Sequence, residues 1–342
     1  MRIAVDAMGG DYAPREIVRG AVDAVRGLDE LTSVILVGDE SAIRAELAAY
    51  KGGDHSKLEV VHTTQTIAMD ESPAQAVRTK RDSSINRGIG LVKDGKADAF
   101  VSAGNTGAMV AASIFGLRRL PGVKRPAIGT VLPTLGNPVL LLDAGANIDC
   151  GEEELEQFAV MGSLYSHAIL HREKPLVGLL SIGGEELKGN EVTRRTGEKL
   201  RQNSNINFCG NVEGRDLFEG KTDVVVCDGF VGNVVLKTTE SVSRTIVQWV
   251  KQEFTKGPLR RLGTLCLLGA IREMKKRMDP ELYGGAPLLG VNGIVIITHG
   301  ASSKKAVFHA IRVAAESVEA RVNTRISEHL RNLRTESRDN VS

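Results

Sequence analysis

The sequence lacks the patterns that mark several common classes of protein. Its 44 basic and 42 acidic residues leave a formal net charge of only +2, without the basic excess that nucleic-acid-binding proteins carry. No apolar run approaches the ~20 residues needed to cross a bilayer. The first residues, Met1–Asp6, read directly as a strand, so we expect no signal peptide. These absences favour a cytoplasmic protein that binds no nucleic acid.

Patterns for metal sites and for nucleophilic catalysis are absent as well. The four cysteines, Cys150, Cys209, Cys227 and Cys266, form no CxxC pair, so we expect reduced thiols and no metal site. Cys209 and Cys227 lie in apolar runs, where a cysteine is usually buried. There is no HExxH motif, no GxSxG elbow and no GxGxxG fingerprint after a strand. We therefore expect no bound cofactor.

One segment matches part of a phosphate-binding motif. The run from Gly90 to Lys96 has the glycines and the lysine of a P-loop, but it lacks the final Ser or Thr and follows a helix-like segment. A P-loop must follow a strand if its backbone N–H groups are to surround a phosphate. We therefore interpret this segment as the end of a helix and a turn.

Apolar runs alternate regularly with segments of helical spacing. This alternation favours one α/β domain over residues 1–342, a Rossmann-like three-layer α/β/α sandwich with a mostly parallel sheet. The predicted strands are Arg2–Ala7, Val34–Gly38, Leu58–His62, Ala97–Ser102, Ala127–Leu132, Val139–Ala144, Leu176–Ile182, Ile206–Gly210, Asp223–Cys227 and Ile294–Thr298. The predicted helices include Pro14–Arg26, Asp39–Ala49, Ser72–Lys93 and Glu152–His171.

The alternation stops at residues 234–289, for which we predict an inserted, protruding helical hairpin. Apolar residues from Val234 to Phe254 recur every three or four positions, which predicts one apolar face on a long helix. A leucine-rich segment bounded by glycines follows at about 257–269 and forms the predicted tip. Two alternatives fit the tip: contact with an anionic membrane surface, or packing against a second subunit. Its leucines are Leu259, Leu262, Leu265, Leu267 and Leu268.

Six apolar runs end in glycine-rich polar loops that lead towards helix-like segments. In an open α/β sheet, ligands bind beyond the carboxyl ends of the strands. Glycine lets the backbone approach a ligand closely, and the start of a helix favours an anion. The loops therefore predict one large site for a phosphate-like group and something attached to it. They are residues 6–11, 102–107, 143–147, 181–190, 228–233 and 298–300.

Taken together and in order, these loops, with Tyr283-Gly-Gly-Ala286, resemble those of the bacterial phosphate acyltransferase of phospholipid synthesis. The resemblance extends from residue 1 to about residue 320, with one departure: Gly184 stands where the family usually carries Thr or Ser. It implies that a fatty acyl group is transferred from acyl-acyl carrier protein to inorganic phosphate, giving acyl phosphate. It also implies a homodimer in peripheral contact with the anionic inner face of the cell membrane.

In this reaction phosphate itself is the nucleophile, so no catalytic serine or cysteine is needed. The chemistry needs a binding site for the anion, a hydrogen-bond donor to the tetrahedral oxyanion, and a group that stabilises the charge of the departing thiolate. Lys188 is our first candidate for the charged role, with a surface lysine in a turn as the alternative. Asn233 is either the N-cap of the long helix or, as the resemblance implies, a donor to the acyl carbonyl.

The remaining candidate residues lie on the same loops. Asn105 and Thr106, at a helix start, are expected to cradle phosphate. Asp11 would repel an anion, so we expect it to position a lysine or to accept a proton. The same holds for Asp143 and Asp228, each of which either orients loops or touches the substrate. The full set of further substrate-binding candidates is Gly9, Gly10, Asp11, Ser102, Gly104, Asn105, Thr106, Gly107, Asp143, Asn147, Glu186, Gly189, Asn190, Asp228, Gly229 and His299.

An acidic carrier protein needs a basic docking face. The candidates are Arg118-Arg119 with Lys124-Arg125, and the run Lys275-Lys276-Arg277, although each could equally be an ordinary solvated face. Two other functions stay open: a phosphotransacetylase-like enzyme that uses acyl-coenzyme A, and a non-catalytic scaffold that recruits carrier protein to membranes. An isopropylmalate-type dehydrogenase would share the architecture, but the sequence shows neither its dinucleotide fingerprint nor a metal-binding carboxylate cluster.

Overall fold

The computed structural model describes residues 1–277 and 279–339, in which eleven strands form one sheet. All ten predicted strands are present, with bounds that differ by at most two residues at either end. The strands are β1 Arg2–Asp6, β2 Ser33–Gly38, β3 Leu58–His62, β4 Ala99–Ser102, β5 Ala127–Leu132, β6 Val139–Leu142, β7 Leu176–Leu180, β8 Asn207–Val212, β9 Val224–Val226, β10 Ala286–Leu289 and β11 Ile294–Ile297.

The sheet is mostly parallel, as predicted, but its direction reverses near the middle. The order is β3-β2-β1-β4-β11-β10-β5-β6-β9-β7-β8. Seven neighbouring pairs are parallel, and the three that are antiparallel join β11 to β10, β10 to β5 and β5 to β6. The block β1–β4 with β11 therefore runs opposite to the block β6–β9. The alternation in the sequence did not reveal this reversal.

Helices cover both faces of the sheet, which confirms the three-layer prediction. Along β1, the residues Ile3 and Val5 pack into one hydrophobic cluster and Ala4 into another. The first cluster holds α1, α6, α10 and α11, and the second holds α3, α4 and α5. The helices are α1 Arg15–Gly27, α2 Glu40–Ala49, α3 Pro73–Thr79, α4 Ser84–Lys93, α5 Thr106–Gly116, α6 Glu152–Ile169, α7 Glu191–Gln202, α8 Gly229–Thr255, α9 Pro258–Arg277, α10 Lys304–Glu319 and α11 Val322–Asp339.

Two expectations about the helices have different outcomes. The single helix predicted for Ser72–Lys93 is wrong, because Ser83 caps a new helix, α4, by accepting the N–H of Asn86 at 3.3 Å. The P-loop-like segment is, as predicted, a helix end and a turn. Helix α4 ends at Lys93, and Gly95 has a φ of 65°, a left-handed conformation that suits a glycine turn.

Helices α8 and α9 form the predicted hairpin, but its turn is shorter than expected and its predicted bounds, 234–289, are wrong. The hairpin begins at Gly229, and residues Ala286–Leu289 belong to β10 of the sheet. The segment 257–269 is not a separate tip, because α9 begins at Pro258 and already contains all five leucines of the predicted tip. Those leucines are 37–81% exposed. Among the described residues, no helix is long and apolar enough to cross a membrane.

Candidate active site

Three glycine-rich loops meet where β1, β4 and β11 end. The N–H of Asp11 donates to the carbonyl of Gly300 at 2.7 Å, and that of Thr298 donates to the carbonyl of Ser102 at 2.8 Å. Gly10 has a φ of 99°, and a methyl group added to it would lie 2.8 Å from the oxygen of Gly300. The loop after β1 can therefore approach its neighbour only with glycine at this position.

The start of α5 lies in this group of loops, and Asn105 caps it. The Asn105 side chain is buried; its Oδ1 accepts the N–H of Ala108 at 3.0 Å. Its Nδ2 donates to three carbonyl oxygens, those of Ala68, Met69 and Glu71. With the amide fully used, Asn105 orients the loop, whereas the exposed Thr106 lies at the open end of the helix.

Asp11 and His299 lie at the rim of the same group, and both are exposed. The Asp11 side chain makes no hydrogen bond or ion pair within the described residues, although its Oδ1 would lie 3.3 Å from a methyl group on Gly300. The His299 Nδ1 accepts the N–H of Ala301 at 3.0 Å. That contact fixes the ring and leaves its other nitrogen as the hydrogen-bonding atom.

A second group of loops follows β6 and β9, and the buried Asp143 organises it. Its Oδ1 accepts the N–H groups of Ile128, Gly145 and Ala146 at 3.0–3.1 Å. Its Oδ2 accepts the backbone N–H and the Nδ2 of Asn147. Because five donors occupy both oxygens, Asp143 orients the loop, which is one of the two roles expected for it.

Helix α8 begins against this loop. The N–H of Gly229 donates to the carbonyl of Asn147 at 2.6 Å, and a methyl group on Gly229 would lie 2.7 Å from Oδ2 of Asp143. Asp228 caps the helix by accepting the N–H of Val231 at 3.0 Å. Gly229 is therefore required for close packing, and Asp228 has the orienting role that was one of its alternatives.

Asn233 is not the N-cap of α8, so that alternative is wrong. It lies within the helix, five residues after the cap Asp228. Its side chain is exposed and makes no hydrogen bond within the described part of the chain. It lies beside the loop of Asp143, since a methyl group on Gly145 would be 3.5 Å from Oδ1 of Asn233. The amide is therefore available to a ligand.

The loop that carries Lys188 follows β7. Lys188 is exposed and has no ion pair within residues 1–277 and 279–339. Its neighbours are engaged elsewhere: Glu186 pairs with Arg201 at 3.0 Å, and Asn190 caps α7 by accepting the N–H of Thr193 at 2.8 Å. Gly189 has a φ of 101°, so it serves the turn.

The departure at Gly184 is compatible with the loop geometry. Nothing lies within 4 Å of the position that a Cβ would occupy there, and its φ is not in the left-handed region. A Thr or Ser, which the related family usually carries, would therefore fit at this position without moving its neighbours.

No hydrogen bond within the described residues joins the first group of loops, the Asp143 group and the Lys188 loop to one another. A hydrophobic cluster nevertheless lies between the first two groups. It contains Ala108 and Met109 of α5, Ala144 of the Asp143 loop and Leu236 of α8.

The buried cysteines near the second group are poor nucleophiles. The Cys227 thiol faces the carbonyl of Asp143 at 3.6 Å, and the Cys150 thiol faces that of Asn147 at 3.8 Å. Burial raises the pKa of Cys150 to about 11 and that of Cys227 well above its usual value, so neither is a thiolate at neutral pH. Cys209 is exposed, which corrects the expectation that it is buried, because it lies on β8 at the edge of the sheet.

Solved structures of other enzymes share this fold. A phosphotransacetylase from Streptococcus pyogenes aligns with a TM-score of 0.63 at 19% identity, covering 93% of this chain and 94% of the other. A 4-hydroxythreonine-4-phosphate dehydrogenase from Klebsiella pneumoniae aligns with a TM-score of 0.52 at 14% identity, covering 93% and 97% of the two chains. At these identities the likeness concerns the fold alone.

Relatives in sequence are much more similar. The model of a family described as "Fatty acid synthesis protein" matches residues 1–325. A phosphate acyltransferase from Desulfitobacterium hafniense is 54% identical over 321 residues, which cover 94% of this chain and 95% of the relative. One from a Nostoc species is 51% identical over 324 residues, which cover 94% of each. The chain is therefore an acyltransferase that belongs to the phosphate acyltransferase family of fatty acid synthesis proteins.

Proposed function

We propose that the chain transfers a fatty acyl group from acyl-acyl carrier protein to inorganic phosphate, giving acyl phosphate for phospholipid synthesis. The observation that carries the proposal is the match to phosphate acyltransferases over 94% of the chain. The match to the family model, over residues 1–325, includes all the loops described above. Acyl transfer to phosphate is common to the family; the carrier-protein donor and the phospholipid pathway are the parts proposed here.

The start of α5 supplies the phosphate cradle in this proposal. The Asn105 side chain accepts the N–H of Ala108, whereas the N–H groups of Thr106 and Gly107 have no acceptor among the described residues. Free N–H groups at a helix start bind anions, and the helix dipole favours the negative charge.

Lys188 and Asn233 supply the charged and polar groups of the transition state. Both are exposed, and neither side chain has a hydrogen-bond or ion-pair partner within the described chain, so both are available to a substrate. The Lys188 ammonium would hold phosphate or the oxyanion, and the Asn233 amide would donate to the acyl carbonyl oxygen. Such donors act by stabilising charge that develops only during the reaction.

The proposed reaction needs no covalent enzyme intermediate. An oxygen of hydrogen phosphate attacks the thioester carbonyl carbon, and the carbonyl oxygen becomes an oxyanion. The C–S bond then breaks, the carbonyl re-forms, and the proton lost by the attacking phosphate goes to the departing thiolate. Acyl phosphate and a free carrier-protein thiol result. The raised pKa values of Cys150 and Cys227 agree with a reaction that needs no enzyme thiolate.

Strand twist supports a single site even though the two parallel blocks run in opposite directions. Neighbouring strands are rotated by about 20–25°, and six steps separate β1 from β9. The accumulated rotation is about 120–150°. Two opposed blocks rotated by this amount point their carboxyl ends within about 30–60° of one another. The two groups of loops can therefore face one substrate.

The basic residues near position 120 are the preferred carrier-protein docking face. Arg118, Arg119, Lys124 and Arg125 are exposed, and Arg125 donates to the carbonyl of Ile148 beside the Asp143 loop at 3.3 Å. A basic surface at this position would bring an acidic carrier protein next to the site. The side chains of Lys275, Lys276 and Arg277 lie outside those that the structure describes.

The hairpin supplies the proposed homodimer contact and the peripheral contact with the inner face of the cell membrane. Val242, Ile246 and Trp249 of α8 are 44–63% exposed, and the five leucines of α9 are 37–81% exposed. Exposed apolar area of this extent usually marks an interface. We assign α8 to the partner subunit and the start of α9 to the membrane.

Phosphate-dependent release of carrier-protein thiol from a long-chain acyl-carrier protein tests the function. Acyl phosphate is trapped with hydroxylamine, and acyl-coenzyme A is run in parallel. Thiol release that requires phosphate and yields hydroxamate is the expected result, with the carrier protein as the faster donor. A faster reaction with acyl-coenzyme A would instead identify a phosphotransacetylase-like enzyme. No turnover by folded protein with either donor would favour the scaffold.

A further inference from the structure

Asp6 is a buried carboxyl at the start of the first glycine-rich loop. It ends β1 and is only 1% exposed. Its Oδ2 accepts the hydroxyl of Ser102 at 2.7 Å, and its Oδ1 accepts the N–H of Met8 at 3.1 Å. The Ser102 oxygen accepts the N–H of Gly104 at 3.0 Å. This chain of contacts ties the loop after β1 to the loop that leads into α5.

The two glycine loops close directly over this carboxyl. A methyl group added at Gly9 would lie 2.5 Å from Oδ2 of Asp6 and 2.7 Å from the backbone nitrogen of Gly104. One added at Gly104 would lie 3.2 Å from the same carboxyl oxygen. Asp6 is therefore packed beneath the loops and has no path to a substrate above them.

A charged carboxylate at this position would work against an anion bound above it. Burial is the largest influence on Asp6 and raises its pKa, while hydrogen bonds from Ser84, Ser102, Met8 and Gly9 act in the opposite direction. The environment thus moves Asp6 towards its neutral form. A neutral carboxyl still joins the loops through hydrogen bonds, and it adds no repulsion to phosphate.

We infer that Asp6 is a positioning residue that acts through Ser102 to align the Ser102–Gly107 loop for binding phosphate, without touching the substrate. The inference rests on the proposed function, because phosphate is taken as the ligand at the start of α5. It predicts that Asp6 matters for its hydrogen bonds and not for its charge.

Three single variants and one double variant test this inference. Asp6→Asn keeps an acceptor for the N–H of Met8 and offers Ser102 a donor, so phosphate KM should stay within about threefold of the parent value. Asp6→Ala and Ser102→Ala remove the link, and each should raise phosphate KM by about tenfold or more. In all three, the KM for the acyl donor should change less than about twofold. The double variant Asp6→Ala/Ser102→Ala should be no worse than Asp6→Ala alone.

A second carboxylate joins the same two strands and provides the control. Asp98 precedes β4; its Oδ2 accepts the N–H of Arg2 at 2.7 Å, and its Oδ1 pairs with the Arg2 guanidinium at 2.8 Å. Asp98→Asn should lower the melting temperature and leave both KM values unchanged. A merely structural role for Asp6 would give this same pattern and would overturn the inference.

A binding measurement separates this inference from the proposed reaction. The rise in melting temperature caused by inorganic phosphate is recorded for each folded variant. Asp6→Asn should keep this rise, whereas Ser102→Ala should need a higher phosphate concentration to reach it. If Asp6→Asn weakened phosphate binding as much as Ser102→Ala does, the charge of Asp6 would be required and the inference would be refuted. If the parent protein shows the phosphate shift but no turnover, the proposed reaction fails and the positioning role stands. If the parent shows no phosphate shift, the role of Asp6 in binding phosphate is rejected.

Discussion

Asn147 donates two hydrogen bonds to the same oxygen of Asp143, from its backbone N–H at 2.7 Å and from Nδ2 at 2.8 Å. The other oxygen of Asp143 accepts three more backbone N–H groups. Every hydrogen-bond partner of this carboxylate is a donor, and the group is fully buried. Only an acceptor with two oxygens satisfies all five contacts.

Asp143→Asn should therefore be strongly disruptive although it is nearly isosteric. The introduced NH₂ would face either the N–H groups of Ile128, Gly145 and Ala146 or the backbone N–H of Asn147. Among the five donors, Nδ2 of Asn147 has a second acceptor, the carbonyl of Pro126. Leaving one of the other buried donors unpaired costs about 2–3 kcal/mol. Urea unfolding should show this loss of stability, and kcat/KM should fall because Gly229 and α8 rest on the loop. Asp39→Asn is the control, since Asp39 caps α2 and Asn is an equally good cap. Equal stability of the two variants would contradict this account of Asp143.

Asn233→Ala should lower activity without lowering stability. The side chain makes no contact that the helix needs, and Ala is the best helix former, so the melting temperature should stay within a few degrees. Loss of one donor to a developing oxyanion lowers kcat by about 10²–10³-fold. For comparison, Asp39→Ala removes a true cap, whose side chain accepts the N–H of Ala42 at 2.8 Å. That variant should lose about 1 kcal/mol of stability and keep its activity. Full activity in Asn233→Ala would remove this residue from the site.

Periodicity and turn residues sufficed to predict the layers and ten strands, but not β10. Pro287 lies in that strand, and a proline argues against a central strand because it cannot donate to the ladder. Strand β10 avoids the conflict by pairing with β11 through Ala286 and Pro287 and with β5 through Leu288 and Leu289. Such divided pairing depends on partners distant in sequence. The reversal of strand direction went unpredicted for the same reason.

The candidate site was predictable as a set of loops but not as a set of roles. Glycine patterns located the loops after β1, β4, β6, β7 and β11, but the loop predicted for residues 228–233 is wrong, because α8 begins at Gly229. The sequence could not show that the polar side-chain atoms of Asn105 and Asp143 form hydrogen bonds within the protein. Nor could it show that the Asn233 side chain has no hydrogen-bond partner within the described residues, because such partners depend on tertiary packing. The role of Asp6 was missed for this reason too, although an aspartate that ends an apolar strand was a visible signal.

Lys188→Ala should reduce kcat/KM by about 10²–10³-fold if the ammonium stabilises charge in the transition state. Stability should not change, because Lys188 is exposed and has no ion pair within the described residues. Lys96→Ala is the matched control: Lys96 is also exposed and belongs to the P-loop-like turn, so its loss should leave turnover intact. Steady-state kinetics of both folded variants make the comparison. Near-parental turnover in Lys188→Ala would exclude a catalytic role.

The hairpin prediction concerns Leu265 and Leu268, which are 61% and 37% exposed on α9. Replacing both by Glu places charge where we propose insertion into an anionic membrane, so the variant should no longer float with anionic liposomes. It should remain a dimer by light scattering, because the proposed subunit contact is on α8. Leu135→Glu controls for an exposed leucine elsewhere; Leu135 is 93% exposed between β5 and β6, and its replacement should leave flotation unchanged. A monomeric double variant would assign the leucines to subunit packing, and unchanged flotation would exclude them from the membrane contact.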